Sequence, residues 1–597
     1  MNTVSERLSA LRQALRRHQL DAWLVPSADP HLSEYLPEHW QVRQWLSGFT
    51  GSAGTLVLTA DEAALWVDSR YYEQAAQQLN GSGIVMEKLE NGRNHLDWLR
   101  DRLPENGVLG AAADMLSLSA KRRLQTLAES AGGRLRDDVD AAGEVWGAAR
   151  PALPQQPVYA HDDAFTDESA ADKLARVRAF MREKGADWHL ISSLDDIGWL
   201  TNLRGSDVEY NPVFLSYLLI GSDTATLFVD EAKLDAAVRA RLQAAGIGTA
   251  AYGAVAEAVA ALSGSLLLDA DRTAASTLAR LPENVRLIEH LNPAALFKSQ
   301  KTERECQHIR QAMVQDGAAL CGFFAEFEQK LADGTPMTEL DIADMLTAHR
   351  SRQPHYISPS FGTIAGFNAN GALPHYSATA EAHSAITGNG LLLIDSGAQY
   401  QNGTTDITRV VPVGETTAAQ RRDFTLVLKA HIALARLVFP EEMPAPVLDA
   451  VCRAPLWAAQ CDYGHGTGHG VGYFMNVHEG PQVIACRAAV NPHHAMKVGM
   501  LTSNEPGLYR PGQWGIRIEN LVLNRRVAQP QEQDFGTFLY FETVTLCPID
   551  TRLVETALLT AEERDWLNAY HAEVRAKLEA HTTGAAKDWL LARTQPV

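Results

Sequence analysis

The chain repeats itself. The segments RLSALRQALRRHQLDAWLVPSADPHLSEYL, from Arg7, and KLARVRAFMREKGADWHLISSLDDIGWLTNL, from Lys173, follow one plan. Each opens with apolar residues at helical spacing, Leu8, Leu11 and Leu15 in one and Leu174, Val177 and Met181 in the other, which puts one apolar stripe on a helix. Each then crosses a polar turn into a short apolar strand, AWLVP or WHLIS. A tryptophan-containing segment and a glycine turn lead on to TLVLT and LWVDSRYY, or to SYLLI and ATLFVD. Self-similarity on this scale marks a duplicated unit. It constrains the amino-terminal half to two related α/β domains, over 1–155 and 160–295, joined by the proline- and acid-rich PALPQQPVYAHDDAFTDES.

The pattern changes after LNPAALFKSQKTERE. A long helix with Ile309, Met313, Gly317, Leu320 and Phe324 on one face opens a third unit, over 299–597. Its tail, LTAEERDWLNAYHAEVRAKLEAH, begins with a Thr-x-x-Glu capping box and reads as an amphipathic helix packed on this unit or on a neighbouring subunit. The fold class is α/β (α+β) throughout.

Within the third unit stand five side chains of metal-ligand type: Asp395, Asp406, His469, Glu505 and Glu519. Their contexts are LLLIDSGAQY, NGTTDITRV, GHGTGHGVG, TSNEPGLY and GIRIEN, strands or the turns beside them. Taken one at a time, each has an ordinary explanation. A DSG ends a strand in a turn, Asp406 caps backbone amides, and Glu519 pairs with Arg517. Together they ask for more, because five unrelated accidents would have to place acids and an imidazole in apolar, glycine-flanked strands. Four carboxylates in one pocket cannot all stay ionised without cations. They suit two hard or borderline divalent ions, which at roughly 3.5–4 Å apart form the usual arrangement for activating one water for hydrolysis. His465 and His469 lie in a segment too glycine-rich for a stable helix, so the helical two-histidine zinc motif does not apply. His478 in NVHEGP and His375 in ALPHYS complete a histidine set suited to hydrogen bonding around a metal site.

Here a resemblance becomes specific. GALPHY, IDSGAQY, TTDITR, GHGTGHGVGYFMNVHEGP, SNEPGLY and GIRIEN, in this order, resemble the motif set of the pita-bread metallopeptidases, which include methionine aminopeptidase, prolidase and aminopeptidase P. VPSADPHLSEY, WLSGFTGSAGTLVLT and LWVDSRYY resemble the first domain of the three-domain, cytosolic aminopeptidases P. The resemblance implies two creatinase-like domains before a pita-bread catalytic domain, and hydrolysis of the bond between an N-terminal residue and a penultimate proline. It implies two divalent metals, usually manganese, with zinc or cobalt as alternatives. Asp395 and Asp406 would bind one ion and Asp406, His469, Glu505 and Glu519 the other, with Asp406 and Glu519 bridging. Glu505 would serve as the proton acceptor, with His478 or His375 donating to the oxyanion. His375, His465, Tyr509 and Arg517 would shape the proline side, and Arg517 would also orient Glu519 or Asp406. Arg70 would reach toward the substrate entrance, unless it is held in a structural ion pair. Two positions depart from the family pattern, Tyr473 where a small residue is expected and Gln513-Trp514 in the turn before GIRIEN; both bear on pocket shape. The alternatives within the fold are a prolidase and a non-catalytic peptide-binding relative.

Bulk properties exclude other classes. A net charge of -19 argues against a sequence-independent nucleic-acid binder and offers no polybasic membrane patch. The amino terminus is charged throughout and lacks a signal peptide's apolar run, and no stretch is long and apolar enough to span a membrane. Six cysteines without framework spacing read as reduced, buried thiols. The expectation is a cytoplasmic homodimer acting on peptides.

Overall fold

The repeated plan becomes two six-stranded sheets of the same topology. In the first the strands run in the order Val85–Lys88, Ala63–Val67, Thr55–Thr59, Ala22–Pro26, Val108–Ala111 and Arg134–Arg136. In the second the order is Gly248–Ala251, Ala225–Val229, Ser216–Gly221, Trp188–Ile191, Ser265–Leu268 and Arg286–Glu289. The first strand of each repeat lies inside its sheet, antiparallel to a hairpin on one side and parallel to a later strand on the other. The preceding helices, Val4–His18 and Ala170–Lys184, start at Thr3 and Ser169, whose side chains accept from the first turn. Both bury the stripe read from the sequence, Leu8, Leu11 and Leu15 or Leu174, Val177 and Met181.

This computed structural model describes residues 3–90, 92–532 and 534–597. They divide into two compact units, Met1–His161 with Glu168–Ala294, and Asp162–Asp167 with Ala295–Val597. Both sheets of the repeat belong to the first unit, and the short stretch Asp162–Asp167 belongs with the second. Inside the first unit the two repeats meet at a polar seam. The buried His31, from the VPSADPHLSEY motif, bonds the Ser192 carbonyl through Nδ1 at 2.9 Å and the Tyr252 hydroxyl through Nε2 at 2.8 Å. The carbonyl accepts the Nδ1 proton, so Nε2 is the acceptor of the tyrosine O–H. Burial lowers the imidazole's proton affinity and keeps that neutral form.

The second unit opens with the helix Glu303–Ala332, started by a reciprocal cap between Thr302 and Glu305. Ile309, Met313, Gly317, Leu320 and Phe324 are all buried along its length. They join one core with two antiparallel sheets. The smaller sheet aligns Ile364–Phe367, Gly390–Ser396 and Ile407–Val413; the larger aligns Val438–Pro440, Phe538–Thr543, Asn520–Arg526 and Leu501–Asn504. The tail helix Ala561–Leu578 starts at the Thr560–Glu563 box and buries Leu567, Tyr570, Val574 and Leu578 in this same core. It therefore packs on its own unit. GIRIENLVLN does not form a single strand: Trp514–Arg517 pairs with Gly507–Arg510, and a new strand starts at Asn520 in the larger sheet. The break leaves Glu519 between two sheets. The thiols also differ in part from expectation. All six are free, but Cys461 is half-buried and Cys486 is exposed, so only Cys306, Cys321, Cys452 and Cys547 lie in the core.

Candidate metal centre and active site

The four acids and one imidazole converge because four strand ends meet. Asp395 is the sixth residue of Gly390–Ser396 and pairs with Thr408 of Ile407–Val413, so Asp406 sits just outside the neighbouring strand's start. Gly397, the glycine of DSG, lets that crossing happen: a Cβ there would collide with the Thr405 carbonyl and the Ser360 hydroxyl. In the larger sheet Asn504 pairs with Asn520, which places Glu505 immediately after one strand and Glu519 immediately before its neighbour. The two sheets are joined at this point by a hydrogen bond from Glu519 N–H to the Thr408 carbonyl at 3.1 Å. His469 arrives on the short ribbon Gly468–His469, held by its own N–H on the Ser503 hydroxyl at 2.9 Å. The Glu505 N–H in turn donates to the Thr467 carbonyl at 2.8 Å.

Donor atoms of Asp406, His469 and Glu519 all lie within 4.8 Å of one another. His469 Nε2 is 3.5 Å from Asp406 Oδ2 and 3.7 Å from Glu505 Oε1. Its Nδ1 faces the Gly470 carbonyl at 3.0 Å, which fixes the proton there and turns the Nε2 lone pair toward the acids. Asp395, Asp406 and Glu519 are buried. Crowding shows in their proton affinities. Desolvation first, then Glu519, Asp395 and Glu505, hold the Asp406 carboxyl well above the usual carboxylate range. Desolvation followed by Asp395 pushes Glu519 up to about 8. Asp395 Oδ1 and Glu519 Oε1 are buried and meet no hydrogen-bond donor among the described residues. Buried carboxylate oxygens without donors are costly, and a set of oxygen donors with one imidazole nitrogen fits divalent cations. The residues present fit the metal pair.

Arg517 ties the site together. It is 2 % exposed. It donates through Nη2 to Asp395 Oδ2 at 2.6 Å and to the Pro374 carbonyl at 3.3 Å, through Nε to the Thr408 hydroxyl at 3.1 Å, and through Nη1 to the Tyr509 hydroxyl at 2.7 Å. Thr408 passes the contact on to Glu519 Oε2 at 2.8 Å. The arginine thus grips Asp395 directly and Glu519 through Thr408, whereas the sequence pointed to Glu519 or Asp406. Tyr509 donates to His465 Nε2 at 2.8 Å, since His465 Nδ1 commits its proton to the Gly466 carbonyl at 2.7 Å. Burial raises the Tyr509 phenol to about 12, so it stays a donor. The ring of His478 stands edge-on to His469 with centroids 4.3 Å apart. His375 follows Pro374, the residue whose carbonyl Arg517 holds. Arg70 lies in the first unit, where Asp68 takes its Nε and Nη2 at 2.8 and 2.7 Å; this is the structural ion pair named as the alternative for it.

The two departures from the family pattern have structural partners. Tyr473 turns its hydroxyl to the Phe165 carbonyl at 2.9 Å and to His308 Nδ1 at 2.8 Å, and Trp514 donates to Asp423 at 3.2 Å. Thr408 and Ser503 escaped the sequence reading. The signal for Thr408 was present, because it stands two residues beyond Asp406 and strand alternation puts such pairs on one face. Ser503 carried none.

Gly468 supplies a direct test of the ribbon. A Cβ there would collide with the Ser503 carbonyl, a backbone atom that cannot swing aside. Gly468→Ala should therefore displace His469 and weaken metal binding by at least about tenfold, read by competition with a chelator; unchanged affinity would show that the ribbon's position is not critical.

Comparisons with known proteins give the family. Residues 307–525 match the model of metallopeptidase family M24, and residues 537–597 match the C-terminal region of peptidase M24. Residues 7–145 and 149–305 each match a creatinase/prolidase N-terminal domain. The chain is 38% identical to aminopeptidase P2 of Arabidopsis thaliana, over 100% of this chain and 89% of that one. It is 35% identical to Xaa-Pro aminopeptidase 1 of Dictyostelium discoideum, over 100% and 97%. Among solved structures, the X-prolyl aminopeptidase of Caenorhabditis elegans, described as a cytosolic enzyme with a di-nuclear active site, superposes with a TM-score of 0.94 at 32% identity, covering 100% of both chains.

Proposed function

This chain belongs to metallopeptidase family M24, with creatinase-type domains ahead of a pita-bread catalytic domain, and from that premise we propose that it is an Xaa-Pro aminopeptidase using two divalent ions. The observation that carries the reading is the meeting of Asp395, Asp406, His469, Glu505 and Glu519 at adjoining strand ends, in a chain similar over its whole length to enzymes of that name. Asp395 and Asp406 would hold one ion; Asp406, His469, Glu505 and Glu519 the other. The ions supply Lewis acidity toward a water and toward the scissile carbonyl. We take them to be manganese, which a mostly carboxylate set accepts.

The chain's own residues do the rest. Glu505 takes a proton from the attacking water and returns it to the proline nitrogen as the C–N bond breaks. The products are a free amino acid and a peptide with a prolyl amino terminus. His478, beside His469, or His375 donates to the oxyanion. His465, Tyr509 and Arg517 form one hydrogen-bonded line that walls the proline side. An imide nitrogen has no N–H for an enzyme to grasp, so recognition by packing against a fixed wall suits this substrate.

We further place the protein in the cytoplasm as a homodimer. No helix among the described residues is long and apolar enough to cross a membrane, and the nematode enzyme is described as cytosolic; the dimer rests on the resemblance, and light scattering tests it. For the reaction, the metal-stripped protein should be inactive on Arg-Pro-Pro and Gly-Pro peptides. Manganese should restore cleavage of the longer peptide more than zinc or cobalt does. Preference for the dipeptide would turn the reading to a prolidase.

Metal uptake should depend on pH. Without metal, burial and the neighbouring Asp395 push Glu519 up to about 8, so it holds its proton at pH 6, and burial and the neighbouring acids raise Asp406's hold on its own. Ligation needs the carboxylates and expels those protons. Apparent affinity should therefore tighten as pH rises from 6 to 8, by up to about tenfold per unit for each proton expelled, and level off above. Chelator competition at three pH values reads this, and a flat profile contradicts it.

A further inference from the structure

Behind the GHGTGH segment lies a buried ion pair that no part of the proposed reaction uses. Asp449 and Arg453 stand one turn apart on the helix Ala445–Ala458, with side chains 0% and 3% exposed. Arg453 Nε donates to Asp449 Oδ2 at 2.8 Å. The rest of its guanidinium faces the loop that follows. Nη1 reaches Asp462 Oδ1 at 2.6 Å and the Tyr463 carbonyl at 2.8 Å, and Nη2 reaches the His465 carbonyl at 2.6 Å. The guanidinium also lies over the Tyr463 ring, 3.8 Å from its centroid. Asp449 faces the same way: Oδ1 accepts from the Thr467 hydroxyl, on which the Tyr463 hydroxyl also rests, and Oδ2 accepts from the Cys486 N–H at 2.6 Å.

Such a pair is a poor device for stability, since desolvating two charges offsets most of their attraction. A planar fork with several fixed donors is instead well suited to holding backbone carbonyls in one arrangement. The carbonyls held here belong to the loop whose His465 ring completes the line through Tyr509 to Arg517 and Asp395. We infer that Arg453, seated by Asp449, is a positioning residue for His465 and so for the wall against which the substrate's proline packs. The inference deepens the Xaa-Pro aminopeptidase reading and rests on it.

Arg453→Lys keeps the charge beside Asp449 but cannot hold Asp462, Tyr463 and His465 in one plane. Misplacing a substrate-positioning group by about 1 Å costs as much as 100-fold. In the metal-loaded enzyme kcat/KM on an Xaa-Pro peptide should fall at least about tenfold, with metal stoichiometry unchanged. In a His465→Ala background the same change should cost less than about threefold, because residues acting through one another are not additive. A merely structural role would cost the same in both backgrounds, and that additivity overturns the inference.

A second measurement needs no turnover. In protein labelled with 15N-histidine, the His465 ring signals, assigned by their loss in His465→Ala, should show one fixed tautomer. Arg453→Lys should move them toward exchange; unmoved signals overturn the inference. Should Arg453→Lys not fold, Thr467→Val removes the hydroxyl between Asp449 and Tyr463 and carries the same two readouts. A wild-type protein inactive on Xaa-Pro peptides would sink the reaction reading instead, and the ring signals would still decide this one.

Discussion

Glu505→Gln should lower hydrolysis of an Xaa-Pro peptide by roughly 100- to 10,000-fold with the fold kept. Glutamine matches glutamate in size, so the backbone contacts that seat the residue, its N–H on the Thr467 carbonyl and its place at the end of Leu501–Asn504, are undisturbed. What disappears is a carboxylate 3.7 Å from His469 Nε2, and with it the group that takes and returns the proton. Steady-state rates at saturating manganese, with circular dichroism as the fold control, read the effect. Wild-type rates would remove Glu505 from that role.

Asp406→Asn should cost the protein both tightly bound ions and all measurable turnover. Asp406 is the acid nearest His469 and, with Glu519, is assigned to both ions. Metal content after gel filtration should drop from about two equivalents toward none; one retained equivalent would move the bridging role elsewhere. The stability change should have the opposite sign without metal. Burial and three neighbouring acids raise the Asp406 carboxyl above its ordinary 3.8. The folded protein then binds this proton more tightly than the unfolded chain, so the group's contribution to stability falls as pH rises through the gap. Asparagine has no such penalty. Metal-free Asp406→Asn should melt above the metal-free wild type at pH 8, with the difference shrinking toward pH 4. Metal-loaded wild type should melt above both, because a ligand that binds only the folded state stabilises it.

Much of the fold was legible because its signals are local. The stripe Leu8, Leu11, Leu15 and its echo at Leu174, Val177, Met181 are helix periodicity, and the Thr302–Glu305 and Thr560–Glu563 boxes are caps written in four residues. Asp395 and Asp406 were legible because the apolar runs beside them announce one strand that contains Asp395 and another that starts just after Asp406. The break before Glu519 was not, since IRIEN alternates without a visible interruption and only pairing with two different partners splits it. Nor was the tie from Arg517 to Asp395, whose sequence separation of 122 gives no hint of a contact at 2.6 Å. Cys486 was misjudged as buried because apolar composition around a thiol does not say on which side of a loop it falls.

By itself, then, the sequence determined which elements form, that an α/β plan occurs twice, and which side chains have the chemistry to grip divalent ions. Those follow from periodicity, capping and charge, all set within a few residues of one another. Only the tertiary structure decided that Thr408 links Arg517 to Glu519, that His469 presents Nε2, and that Arg453 reaches across to His465. Hydrogen bonds of this kind depend on distances and angles between elements far apart in the chain. Those are settled when the sheets and helices pack around their common core, by the shape of every side chain between them.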